Sequence, residues 1–221
     1  MSSRASAPCF GFGQPGFSPP EPGGVVILKQ WKTVVPAVLF LAILGCGGIR
    51  YSEVSPEARD FHPRRIAVLP ADSKTFAEAG SDIDRLFHEA LSEQPWFDAV
   101  VGGEAVGRRL KSDGLFRQTV TDYLTKLEKV SFSDPVLSGT LGELTGAEAL
   151  LLVRVDYWNH TTENDNKIAK VSLSIRMVEA KTGKILWTAV HHKIREYLII
   201  KPALPDVARN LIREMIGYMP R

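Results

Sequence analysis

The sequence predicts an α/β (α+β) sandwich, with a mixed sheet that ends in an antiparallel meander and helices packed on it. Three observations predict it. Residues 149–158 and 171–177 alternate apolar and polar side chains with a period of two, the mark of strands with one apolar face. Residues 83–91 and 208–219 repeat apolar side chains at helical spacing. Short apolar runs at 66–69 and 96–101 alternate with helical segments, the order of a layered fold.

Taken in order, Arg64 and Arg65 lead into Ile66-Ala67-Val68-Leu69-Pro70, a buried strand closed by proline. Ser81 is the expected cap of a helix with Asp82 and Asp84 in its first turn. Ile83, Leu86, Phe87, Ala90 and Leu91 form its apolar face. Trp96–Val101 reads as a second strand, and Gly102-Gly103 separates it from a helix over Glu104–Ser112 that Gly114 caps. Helices follow at Thr119–Lys129 and from Asp134-Pro135 to Leu144, the second with proline at its start. Glu163-Asn164-Asp165-Asn166 is a polar turn between the two alternating strands. Ala180-Lys181-Thr182-Gly183 turns the chain again, into a strand over Lys184–Arg195. The last helix, Pro205–Tyr218, places Ala208, Leu211, Ile212, Met215 and Met219 on one face. These elements make one domain over residues 64–221.

Charge and cysteine usage narrow the function. Three of the 27 basic residues (Arg4, Lys29, Lys32) and one of the 25 acidic residues (Glu21) precede Cys46, which leaves 24 of each sign behind it. A neutral domain carries no electrostatic footprint for nucleic acid. The two cysteines, Cys9 and Cys46, both lie outside the domain, so it has no disulfide framework.

The first 45 residues divide in two. Residues 1–24 are rich in Pro, Gly and Ser and too poor in apolar residues to form a core. They read as a disordered leader, with the true start expected between Val25 and Leu28; peptides from this stretch in cell extracts would contradict that. Residues 25–45 have the order of a signal peptide: Lys29 and Lys32, then the apolar run Thr33–Leu44. About twelve helical residues span roughly 18 Å, against roughly 30 Å of bilayer hydrocarbon, so the run is too short for a stable span. Pro36 also interrupts it.

Ile43-Leu44-Gly45-Cys46 resembles a lipobox. The resemblance implies cleavage between Gly45 and Cys46 and a lipid on the Cys46 thiol. Gly47 follows where Asp, in enteric lipoproteins, holds the protein at the inner membrane. The expected place is therefore the outer membrane, facing the periplasm. Residues 46–63 are read as a tether, ~60 Å at full extension.

Three further segments carry a family resemblance: Arg65–Pro70, Gly146–Leu152 and Val178–Trp187. With the strand at Phe97–Val101 they resemble periplasmic lipoproteins of the CsgG and TolB amino-terminal type, whose general fold the LpoB-like and GNA1162-like lipoproteins share. The resemblance covers roughly residues 64–217 and implies fold more than function. Two departures matter. The links between strands are short and polar, without the 9–11-residue membrane hairpins of a CsgG pore. The tether is also short for an LpoB-type activator that must cross the cell wall.

No residue set reads as an active site. His191 and His192 are adjacent on a strand, point to opposite faces and cannot chelate one ion together. His160, beside Asn159, reads as exposed, and His88 as the i+4 partner of Asp84. Asp72-Ser73-Lys74 follows the first strand, where α/β folds bind ligands, but lacks a glycine-rich loop and reads as a turn. Gly102-Gly103 precedes a helix whose Glu104 would repel phosphate. Trp158 and Trp187 are the candidates for a partner surface, with core burial as the alternative. The expected function is a non-enzymatic, lipid-anchored envelope protein that binds a protein partner without cofactor or metal, with self-assembly into a homo-oligomer as a further expectation. The rival is an envelope enzyme or small-ligand-binding lipoprotein.

Overall fold

The computed structural model describes residues 50–130 and 133–220. A six-stranded open sheet has the order β1-β6-β5-β4-β2-β3. The strands are β1 Tyr51–Val54, β2 Arg65–Val68, β3 Ala99–Val101, β4 Ala149–Glu163, β5 Asn166–Glu179 and β6 Ile185–Glu196. β2 pairs in parallel with both β3 and β4, and the remaining pairs are antiparallel, so the sheet is mixed as expected. The helices are α1 Gly80–Ser92, α2 Gly103–Ser112, α3 Gly114–Val130, α4 Pro135–Thr145 and α5 Leu204–Gly217.

Helices pack on both faces of the sheet. α1 and α5 bury Ile83, Phe87, Leu211 and Met215 on Val68, Leu151, Val153 and Leu173. On the other face α2, α3 and α4 bury Val106, Phe116, Tyr123 and Leu141 on Ala67, Leu69, Leu150 and Leu152. Leu150 and Leu152, the polar-side positions of the alternation in β4, are therefore core residues because a second helical layer lies over them.

Local chemistry sets the turns. Asn164 and Asp165 both have positive φ (49° and 66°) in the two-residue β4–β5 hairpin, a turn type whose twist suits that of the strands. Asp134 caps α4 by accepting from the N–H groups of Val136 and Leu137 at 2.9 and 3.1 Å, with Pro135 in the first turn. Gly183 has φ +69°, and a Cβ there would lie 3.0 Å from both Pro135 Cα and Ser133 O. Gly183→Ala is expected to destabilise the domain by about 1–3 kcal/mol, measured by urea unfolding, because it adds backbone strain and a backbone clash together.

Several expectations are corrected. Tyr51–Val54, within the segment read as a tether, is an edge strand on β6. Ala79, not Ser81, holds the cap position of α1. Gly114 opens α3 rather than capping α2: Asp113 Oδ1 accepts from the Phe116 N–H at 3.0 Å and starts α3 five residues earlier than periodicity predicts. That bond is the main reason the Asp113 carboxyl is held below its ordinary pKa. The strand at Trp96–Val101 is shorter, Ala99–Val101.

Candidate functional site

A groove of about 810 Å³ opens where β2 ends, between α3 and the sheet face that the helices leave uncovered. Register builds its floor. Leu152, Arg176 and Thr188 lie side by side on β4, β5 and β6, and the next row is Arg154, Ser174 and Val190. The wall is the apolar edge of α3, with Val120, Leu124 and Leu127. The rim is Pro70–Lys74. Asp72 extends the β2–β4 pairing: its N–H donates to Val153 O at 2.8 Å and its carbonyl accepts from Val155 N–H at 2.9 Å. Asp72-Ser73-Lys74, read from the sequence as a turn, therefore borders this groove.

The charges in the groove are not equally available. Arg154 Nε donates to Asp156 Oδ1 at 2.8 Å, and the Ser174 hydroxyl donates to Asp156 Oδ2 at 2.5 Å. Asp156 sits at the β-bulge where register shifts between Val155 and Tyr157, which re-aims it along the sheet. Lys74 pairs with Glu128 of α3 at 2.5 Å, and this pair lowers the Glu128 pKa. The half-buried Arg176 forms no ion pair with a described carboxylate. The groove thus offers one partly desolvated guanidinium beside an apolar wall, an arrangement that suits a carboxylate-bearing chain with apolar side chains.

A smaller cavity of about 340 Å³ lies at Gly102-Gly103, lined by Arg85, His88, Glu89, Glu104 and Arg108. Its arginines are committed: Arg85 to Asp82 and Glu89, Arg108 to Glu104. Gly103 (φ +54°) lets the chain pass over His88, since a Cβ there would lie 3.3 Å from His88 Cβ.

The predicted site residues separate. Gly45 and Cys46 lie outside the described residues. Trp158 and Trp187 are both buried in the core under α1 and α5, so neither is a surface anchor. The Trp187 indole N–H donates to Ser52 Oγ at 3.0 Å. His88 does not pair with Asp84, whose carboxylate accepts from the Ala71 N–H at 2.8 Å and whose pKa burial raises. His191 is buried rather than solvated. Its Nδ1 accepts from the Arg50 N–H at 3.1 Å, which leaves Nε2 to donate to Glu214 at 3.3 Å. His192 lies on the opposite face, and partial burial lowers its pKa. His160 Nε2 lies 2.8 Å from Pro202 O and stacks edge-on with Tyr197. Among the described residues no group of three His, Cys, Asp or Glu side chains could hold a metal ion, and no helix is long and apolar enough to cross a membrane.

No protein-family model and no curated protein matches the chain. Solved structures do. A PelC dodecamer from Paraburkholderia phytofirmans is similar at 15% identity over 76% of this chain and 93% of its own, with a TM-score of 0.46. The lipoprotein GNA1162 from Neisseria meningitidis is similar at 18% identity over 71% of this chain and 100% of its own, TM-score 0.45. The hypothetical protein CT253 from Chlamydia trachomatis matches at 12% identity over 69% and 93%, TM-score 0.47.

The floor of the groove has no signal in a linear reading. Arg154 and Arg176 are far apart in sequence, and only the β4–β5 pairing brings them to one face. The hint that existed was the rim at Asp72–Lys74, at the carboxyl end of a parallel strand.

Proposed function

We propose that this protein is a lipid-anchored lipoprotein of the bacterial cell envelope, held at the outer membrane through Cys46, and that its domain is a non-enzymatic binder of a protein partner. The observation that carries the anchor is the sequence order Lys29 and Lys32, the apolar run Thr33–Leu44, then Gly45-Cys46, with β1 beginning at Tyr51, five residues after the cysteine. A short link of this kind holds a folded domain against its membrane.

The groove supports the binding role. It is open with one apolar wall, and of the two lining arginines that form no ion pair among the described residues, exposed Arg117 donates to Leu110 O while half-buried Arg176 lies on the floor to meet an incoming carboxylate. An extended acidic segment of a partner protein fits this chemistry. The test is a photo-cross-linking residue at Leu124 in living cells. The native protein is expected to give a discrete cross-linked complex. Arg176→Glu is expected to lower its yield about tenfold or more, with the melting temperature unchanged. An unchanged yield in the charge-reversed variant would overturn the groove as the partner site.

A further inference from the structure

Between β6 and α5 the chain presents Leu198, Ile199 and Ile200 in a row, 89%, 93% and 85% exposed. Three consecutive aliphatic side chains that are almost wholly in water oppose the hydrophobic effect unless something covers them. The base of the loop is fixed. The Tyr197 N–H donates to Lys167 O at 3.0 Å, the Tyr197 ring meets the His160 ring edge-on at 5.9 Å, and His160 Nε2 lies 2.8 Å from Pro202 O. Both ends of the loop are thus tied to the β4–β5 hairpin, and only the apolar tip projects.

The direction of the amino terminus places this tip. β1 is antiparallel to β6, with Tyr51 opposite Val190, and the Arg50 N–H bonds to His191. Followed backwards, the chain leaves the sheet toward the carboxyl end of β6, the end that carries the loop. Only Gly47, Gly48 and Ile49 separate Arg50 from Cys46, so covalent geometry keeps Cys46 within about 14 Å of Arg50. The loop base at Tyr197 is six residues past His191, roughly 20 Å along the strand direction. One membrane surface can meet both.

We propose that Leu198-Ile199-Ile200 inserts into the membrane that holds Cys46, as a second contact with a lipid surface; this rests on the lipid-anchor reading above. Lys167, Arg195 and Lys201 are exposed around the tip, and their long stems reach headgroup level. Asp165 and Glu196 offset two of these charges, so apolar burial drives the contact. A second copy of the chain is the poorer occupant: three side chains fall well short of the about 800 Å² per partner that a stable interface needs. The contact fixes how the domain stands on its membrane, which a single covalent link does not.

The test uses the protein purified from bacterial membranes, with Ile199→Cys carrying an environment-sensitive NBD label, in vesicles of phosphatidylethanolamine and phosphatidylglycerol with and without nitroxide-labelled acyl chains. Substitution at so exposed a position leaves folding intact. The label at 199 is expected to shift to the blue and lose at least about half its emission to the nitroxide lipid, while a label at exposed Glu104 changes in neither respect. A label at 199 as unquenched as that at 104 overturns the proposal. So does a blue shift that grows with protein density but ignores the nitroxide, which would identify a second copy. The mass of the labelled protein separates this from the anchor: a lipidated Cys46 takes no label and adds the acyl mass, whatever residue 199 does.

Discussion

Trp187→Ala is expected to lower the melting temperature by roughly 6–20 °C. The indole is fully buried on β6, between Met177 of β5 and Val54 of β1 in register. Truncating a buried tryptophan costs about 3–5 kcal/mol, since the cavity left behind closes only in part. For a domain of this size each kcal/mol moves the melting point by about 2–4 °C. The loss also frees Ser52 Oγ from its bond to the indole, so the edge strand β1 loosens with the core. Trp187→Phe is expected to lose less, because most of the buried ring remains. The measurement is thermal unfolding followed by circular dichroism. A melting point within about 1 °C of the native protein would contradict the burial of Trp187 and return it to the surface as a candidate partner anchor.

Cys46→Ser is expected to abolish lipid incorporation altogether. A serine hydroxyl does not replace the thiol as the acceptor of diacylglycerol, and cleavage before residue 46 depends on that modification. In a host that processes lipoproteins, labelled palmitate is expected in the native chain and absent from the variant. The variant is expected to accumulate as a heavier, uncleaved precursor. Energetically the step is decisive: two or three acyl chains anchor a protein stably, where one holds it only marginally. A variant that still incorporates palmitate, or that is processed as the native chain is, would contradict the anchor.

Much of the fold is legible because β4, β5 and α5 repeat apolar residues over ten or more positions. Tyr51–Val54 is not legible, for a physical reason. All four residues are exposed, so the strand has no buried face to leave an apolar pattern, and only its pairing with β6 defines it. The start of α3 is hidden for a similar reason. Its first turn carries exposed Leu115, and the cap that begins it is the Asp113 side chain, which a linear reading passes over in favour of the neighbouring glycine. Trp158 and Trp187 show the limit of residue type as a guide, because tryptophan marks cores and interfaces alike. The groove is the least legible feature. Arg154, Ser174, Arg176 and Thr188 share a face only through two hairpin registers, and the bond between Arg154 and Asp156 is set by the bulge in β4.

The most direct measurement of the central claim is the intact mass of the protein extracted from bacterial membranes. A chain that begins at Cys46 and carries a diacylglyceryl group on its thiol is expected. A chain with an unmodified Cys46, or one that begins elsewhere, would contradict it.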